Sequence, residues 1–263
     1  MSGSAIKTSY LETCPEWPDV HSSLPEYAAR FPGPLGQWIL KTQTDLLVEA
    51  IGLTTSPSPK GTLEVLDVGG GHGQVTPMLL EFERRVVTVV SDAKATGTLL
   101  DMLTLLAPVC LANHTSVVAP LNQLPFESAS IPQVVSLRMV CHMPDWSGFI
   151  AELCRVASHQ VIIDYPSLQS ANYFQHLFFN AKLRVEGNTR NFMVFNDEQI
   201  ADEFRRRGFT SIRLYRQFAL PLALHRAIKR PGLSELLERI FRKTGITALI
   251  GSPVILSASK EKA

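Results

Sequence analysis

Four glycines fall within five residues, Gly69, Gly70, Gly71 and Gly73, directly after the run Val65-Leu66-Asp67-Val68. A short buried strand that opens into so many glycines brings bare backbone against something held close. An acidic side chain at the strand end and exposed backbone N–H groups suit a small polar ligand carrying both charges. Asp92 follows about twenty residues later, after a second apolar run, where a nucleotide-binding unit keeps the carboxylate that accepts from ribose hydroxyls. The same carboxylate also suits the N-cap of the helical pattern around Thr96–Leu106. His142 lies in Cys141-His142-Met143-Pro144, after the fourth such run. A histidine there can take a proton near neutral pH, or it can simply wall a pocket. The dinucleotide fingerprint G-x-G-x-x-G fails in both registers, because Gln74 or Thr76 stands where its last glycine belongs.

What remains is D-x-G-x-G-x-G, carried by Asp67, Gly69, Gly71 and Gly73. In this form the chain resembles the class I S-adenosylmethionine (SAM)-dependent methyltransferases. Leu124-Pro125-Phe126 resembles a segment of the ubiquinone/menaquinone-type and related small-molecule enzymes of that class. In those enzymes an acid before the segment often meets the adenine amino group; here Pro120 stands in its place, which leaves backbone at Leu121 and Asn122 for the base. Cys141-His142 resembles the strand end of plant-type small-molecule O-methyltransferases, whose histidine is the general base. Alignment on the tryptophan Trp146 puts Pro144 there instead. The resemblance implies SAM as cofactor, with Asp67, Gly69, Gly71, Gly73, Asp92, Ala93, Leu121 and Asn122 around it and His142 as catalytic residue. It also implies an α/β fold: a Rossmann-like, seven-stranded, mostly parallel sheet of order 3-2-1-4-5-7-6, with helices on both faces and a helical cap or insertion. The reaction implied is O- or C-methylation of a small, hydrophobic acceptor, for which a lipid- or quinone-like molecule is one expectation. A SAM-binding protein without transferase activity, acting as partner or scaffold, remains open, because the glycine loop and Asp92 serve binding alone.

The elements that must position these residues follow the apolar spacing. Leu35–Ile51 reads as an amphipathic helix, with Tyr27, Phe31 and Trp38 either packing it or lidding the donor site. Val75–Phe82 follows the glycines as a helix, with Pro77 in its first turn. Strands are expected at Arg85–Ser91, Ser116–Ala119, Gln133–Val140, Val161–Ile163, Ser211–Phe218 and Val254–Ser259. Asp145 opens a helix over Trp146–Val156. Asn196, with Asp197 and Glu198 behind it, opens another that ends at Gly208. Tyr165 closes the fifth strand, at a carboxyl-end position that suits substrate contact. The aromatic stretch from Tyr173 to Phe179 and the polar group that follows supply Tyr173, His176 and Arg190 as substrate-side candidates.

Three regions result: a helical lid over 1–60, a SAM-binding half over 61–166, and a substrate-side half over 167–263. The last contains a basic insertion, 220–243. There Arg226, Lys229, Arg230, Arg239, Arg242 and Lys243 face only Glu235 and Glu238. Such a pattern fits weak peripheral contact with a membrane. Net charge is only +1, so nucleic acid is not an expected partner. Cys14, Cys110, Cys141 and Cys154 form no C-x-x-C pair, so no metal site is expected. The polar start lacks a signal-peptide core and no apolar run reaches membrane-spanning length, so a reducing, cytoplasmic setting is expected.

Overall fold

Every residue of Val65-Leu66-Asp67-Val68 is buried, as a strand covered on both faces requires. That strand lies inside the sheet, with a parallel neighbour on each side. The structure is a computed structural model, and it describes residues 33–52, 65–70, 75–82, 84–106, 108–170 and 193–261. In chain order these form α1 (Gly33–Ile51), β1 (Val65–Val68), α2 (Val75–Glu81), β2 (Val86–Val90), α3 (Ala93–Leu106), β3 (His114–Val118), β4 (Ile131–Ser136), α4 (Trp146–Val156) and β5 (Ala157–Tyr165). Then come α5 (Asp197–Arg205), β6 (Ser211–Phe218), α6 (Leu222–Ile228), α7 (Pro231–Lys243), α8 (Ile246–Ile250) and β7 (Ser252–Ser259). The seven strands share one sheet of order β3-β2-β1-β4-β5-β7-β6. β1 runs parallel to β2 and to β4, β2 runs parallel to β3, and β7 returns antiparallel to β6. This is the order and mostly parallel character expected from the sequence.

By packing, the chain falls into two compact units, one reaching from residue 54 to 161, the other combining 30–53 with everything from 162 onward. In the first, α2 follows the glycine turn and buries Val75, Met78, Leu79 and Leu80. α4 starts where Asp145 accepts from the Gly148 N–H at 2.9 Å, and buries Phe149, Ile150, Leu153 and Val156. In the second, α1 buries Ile39, Gln43, Leu47 and Ala50, at the spacing of one helical face. Gln43 is satisfied there by the Gln217 side chain, donating to its Oε1 at 2.8 Å. Trp38 packs its ring on Phe218 and on His225, with centroids 5.4 and 5.3 Å apart, so this aromatic is a packing element. Asn196 caps α5 by accepting from Glu198 N–H, and Gly208 takes φ +83° after its end.

Three boundaries differ most from expectation. β4 stops at Ser136 rather than reaching Val140, because Arg138 takes a left-handed φ of +62° and turns the chain out of the sheet. β5 runs nine residues, well beyond Val161–Ile163, since Ala157 and Gln160 also lie along the buried sheet. The insertion continues past 243 into α8, whose five residues have too little pattern to announce a helix.

Candidate functional site

The turn after β1 is built from beneath. Asp67 is 1% exposed, and its carboxylate accepts the Thr76 hydroxyl at 2.7 Å, together with the Thr76 backbone N–H. It therefore sits under the glycine turn, tied to the first turn of α2. The physical reason is the pair of Thr76 donors, which satisfy the buried oxygen inside the fold. Burial raises its pKa from 3.8 to about 6, against the opposing pull of the Thr76 bonds and the Arg138 charge. The chain of hydroxyls goes further. Thr76 Oγ1 meets Thr88 Oγ1 at 2.7 Å, and Thr88 Oγ1 meets His114 Nε2 at 3.0 Å. Three neighbouring strands thus meet through polar side chains directly below the turn.

Two glycines are demanded by this packing. Gly69 takes φ +80°, and a Cβ there would lie 2.7 Å from Met139 Cγ. A Cβ at Gly70 would lie 2.6 Å from Thr88 Cγ2 and closer still to the Asp67 carboxylate. The turn is held flat on its floor, with Gly69 N–H donating to Val89 O at 2.9 Å. Gly71 and Gly73 lie outside the described residues.

Asp92 stands one position beyond Ser91, just past the end of β2, and β2 is in register with β1 up to Val68 opposite Val89. It is half-buried. Its Oδ1 accepts from the Lys94 N–H at 2.7 Å, so it caps α3 as one of its two readings required. A carboxylate has further acceptor capacity on its second oxygen, so capping leaves the other role open. Ala93 is exposed beside it, as the first residue of α3.

The Leu121–Ser130 segment is pinned by a pair the sequence did not announce. Arg155, on α4, donates to Phe126 O at 2.9 Å and to Leu124 O at 3.1 Å. It also holds Glu152 through two bonds of 2.7 Å, and Glu152 in turn accepts from Leu124 N–H at 2.6 Å. Burial works against ionising Glu152, but Arg155 and the Leu124 N–H outweigh it and keep its carboxyl below the ordinary value. The clamp fixes both strands of the loop that presents Leu121, which is buried, and Asn122, which is exposed. Glutamate and arginine three apart on a helix are common, which is why spacing alone did not single them out.

His142 does not follow β4 directly. It closes a single 3-10 turn, Val140–His142, reached after Arg138 has bent the chain. Its N–H donates to Met139 O at 2.9 Å, its side chain is half-buried, and Cys141 and Met143 on either side are buried. The turn is anchored to the sheet below, because Ser136 donates its hydroxyl to Val68 O at 2.8 Å. Glycine turn, Asp92, the 121–130 loop and His142 all belong to the first unit and all follow carboxyl ends of its parallel strands, where an open α/β sheet binds its ligand.

The second unit gathers a different group. Tyr165 is 1% exposed, with its ring edge-on to Phe195 at 6.1 Å. Burial and the Asp197 carboxylate hold its phenol protonated far above the ordinary range. Asp197 in turn is paired with Arg216, which also donates to Gln169 Oε1 at 2.9 Å and to Gly251 O at 3.2 Å. Tyr165 is thus part of a packed polar core and not an open crevice residue: its place at a strand end tells which end it occupies but not which way its ring turns. Tyr173, His176 and Arg190 lie outside the described residues. Among the described residues, no group of His, Cys, Asp and Glu could hold a metal ion, and no helix is long and apolar enough to cross a membrane.

Residues 66–163, from within β1 to within β5, match the family described as methyltransferase domain. No curated protein sequence matches the chain significantly. Among solved structures, the chain is similar to magnesium protoporphyrin IX methyltransferase from Synechocystis PCC 6803 with bound SAH. The TM-score is 0.58 at 14% identity, over 97% of this chain and 96% of that one. It is also similar to geranyl diphosphate C-methyltransferase from Streptomyces coelicolor A3(2), solved with Mg2+, geranyl diphosphate and S-adenosyl-L-homocysteine. Here the TM-score is 0.56 at 14% identity, over 84% of this chain and 79% of that one. The cyclase SpnF aligns with a TM-score of 0.56 at 16% identity, over 84% and 80% of the two chains. At such identities the likeness is one of fold.

Proposed function

We infer that this chain is a class I SAM-dependent methyltransferase and transfers a methyl group from SAM to a small, apolar acceptor. One observation carries the reading. A glycine turn packed too closely on Asp67, Thr88 and Met139 to carry side chains at Gly69 and Gly70, and a half-buried carboxylate, stand at the adjoining carboxyl ends of β1 and β2. SAM has an ammonium, a carboxylate and a ribose diol but no phosphate, so a turn without the dinucleotide fingerprint suits it.

Bound SAM supplies a methyl group on a sulfonium, an electrophile that needs alignment more than covalent help. The chain's own residues supply the rest. Backbone around Gly69–Gly73 meets the amino-acid end of the cofactor, with Asp67 supporting the turn from below. Asp92 accepts from the ribose hydroxyls while it caps α3. Ala93 and the clamped segment at Leu121 and Asn122 edge the base. His142 takes the proton from an acceptor O–H as the oxygen attacks. For a carbon acceptor on a quinone-like ring, His142 removes the ring proton after attack or serves only as a wall. Tyr173, His176 and Arg190 are assigned to the acceptor side. The bound geranyl diphosphate and the porphyrin named for two structures of the same fold support an extended or flat apolar acceptor. A lipid-like acceptor also fits the basic insertion 220–243, which would keep the enzyme at a lipid surface.

A second reading keeps SAM binding without methyl transfer. It is favoured by one fact only: a protein named as a cyclase shares this fold. Incubation of the protein with methyl-labelled SAM and a panel of quinones, phenols, isoprenoids and lipids separates the two. Label in an extracted product supports the transferase. Tight SAM binding with no label in any product across the panel supports the second.

A further inference from the structure

Helices α6 to α8 are built inside out. Their protein-facing side is polar: His225, Ser234, Glu238 and Thr247 are all buried. Glu238 accepts from Ala219 N–H and Leu220 N–H, each at 2.9 Å, and lies 3.0 Å from His225 Nε2. The rings of Phe218 and Trp38 close around that histidine. The outward side is apolar. On α7, Leu233, Leu236 and Ile240 are exposed at steps of three and four residues, so they form one stripe. On α8, Ile246, Leu249 and Ile250 are exposed, with Leu249 at 71%. Leu224 on α6 is exposed as well. Elsewhere among the described residues only Leu100, Val118 and Leu214 are large apolar side chains of that class. Such a concentration of exposed apolar groups marks a contact surface.

The charges around it decide the partner. The stretch carries Arg226, Lys229, Arg230, Arg239, Arg242 and Lys243, all exposed. Of its two acids, Glu238 is turned inward and Glu235 is paired with Arg239 at 2.8 Å. The surface therefore presents leucine and isoleucine within a basic border. We propose that α6, α7 and α8 form a docking face for an anionic lipid surface, with Leu249 and the α7 stripe entering the headgroup layer and the arginines and lysines meeting lipid phosphates. This rests on the lipid-surface reading of 220–243 and extends it: the insertion wedge lies beyond 243, on α8. Apolar burial and attraction to anionic headgroups are the two components such a face combines.

The test is co-sedimentation of the full chain with vesicles of phosphatidylcholine alone, or with a third of the lipid as phosphatidylserine. The comparison proteins are Leu236→Ser/Leu249→Ser and Lys229→Gln/Lys243→Gln. All four positions are exposed, so thermal unfolding should match the parent. Binding to the anionic vesicles, weakened by salt, is expected, with about a fivefold loss for each charge removed and a tenfold or larger loss in the leucine variant. No sedimentation at low salt, or equal sedimentation with both vesicles, would overturn the proposal. So would a concentration-dependent dimer that the leucine variant abolishes while vesicles bind neither protein, since the face would then serve a second copy of the chain. Titration of SAM into the same samples keeps the two inferences apart: lost vesicle binding with normal SAM binding fails only the docking face.

Discussion

Replacing Asp67 with Asn removes a charge that the fold buries, and the consequence can be worked out from the structure. In the unfolded chain the carboxyl ionises around its ordinary 3.8, whereas in the fold burial holds the proton until about 6. Between those values the native state binds more protons than the unfolded state, so stability falls as pH rises. The loss is complete above about pH 6 and amounts to ~3 kcal/mol, at about 1.36 kcal/mol per pKa unit. Asparagine keeps an oxygen for the Thr76 hydroxyl and N–H but does not titrate, so this contribution disappears. The assay is urea unfolding of both proteins from pH 4 to 8. With a denaturant slope of about 3 kcal/mol/M for a chain of this size, the parent's midpoint relative to the variant's should fall by ~1 M between pH 4 and 7. Other titrating groups are common to both proteins and cancel in the difference. Parallel curves would refute the reasoning, because they would mean that the carboxylate ionises in the fold as freely as in water.

The remaining predictions concern the turn, the loop clamp and the base. Gly70→Ala presses a methyl onto Thr88 Cγ2 and the Asp67 carboxylate; it should cost ~1–3 kcal/mol of stability and weaken SAM binding in the folded fraction, measured by thermal unfolding and calorimetry. Arg155→Met strips Leu124 and Phe126 carbonyls of their charged donor, so a loss of ~1–3 kcal/mol and faster proteolysis within 121–130 are expected; Glu152→Gln, which keeps an acceptor for Leu124 N–H, should lose less. His142→Ala should leave SAM affinity nearly unchanged and slow single-turnover methyl transfer by ~10²–10⁴, with loss of the acidic limb of the pH–rate profile. A joint loss of affinity and rate with an unchanged profile would make His142 a pocket wall.

Where a signal is local, the sequence announced the structure. The apolar run before the glycines, Asp145 ahead of Trp146–Val156, and Asn196 before Asp197 and Glu198 each state their role within a few positions, and the strand and both helix starts are found in place. What was hidden depends on partners far along the chain. The sequence shows Asp67 at the end of an apolar run but not that Thr76, nine residues on, donates to its carboxylate. Arg155 and Glu152 become a loop clamp only when α4 passes beside Leu124 and Phe126, about thirty residues earlier in the chain. The end of β4 is hidden in the sequence because Val-Val-Ser-Leu-Arg-Met-Val has good strand composition throughout, and only the left-handed backbone at Arg138 interrupts it. The basic, amphipathic character of 220–243 is legible in the sequence, but not that its polar residues His225, Ser234 and Glu238 are the ones turned inward.

The central claim is that the turn after β1 and the carboxylate after β2 hold SAM. Calorimetric titration of SAM into the parent and into Asp92→Ala tests it most directly. The expected result is saturable one-to-one binding in the parent and a loss of ~1.5–3 kcal/mol in the variant, the range for hydrogen bonds to a charged group, while NAD gives no heat with either. Absence of SAM binding in the parent, or equal affinity in both folded proteins, would contradict it.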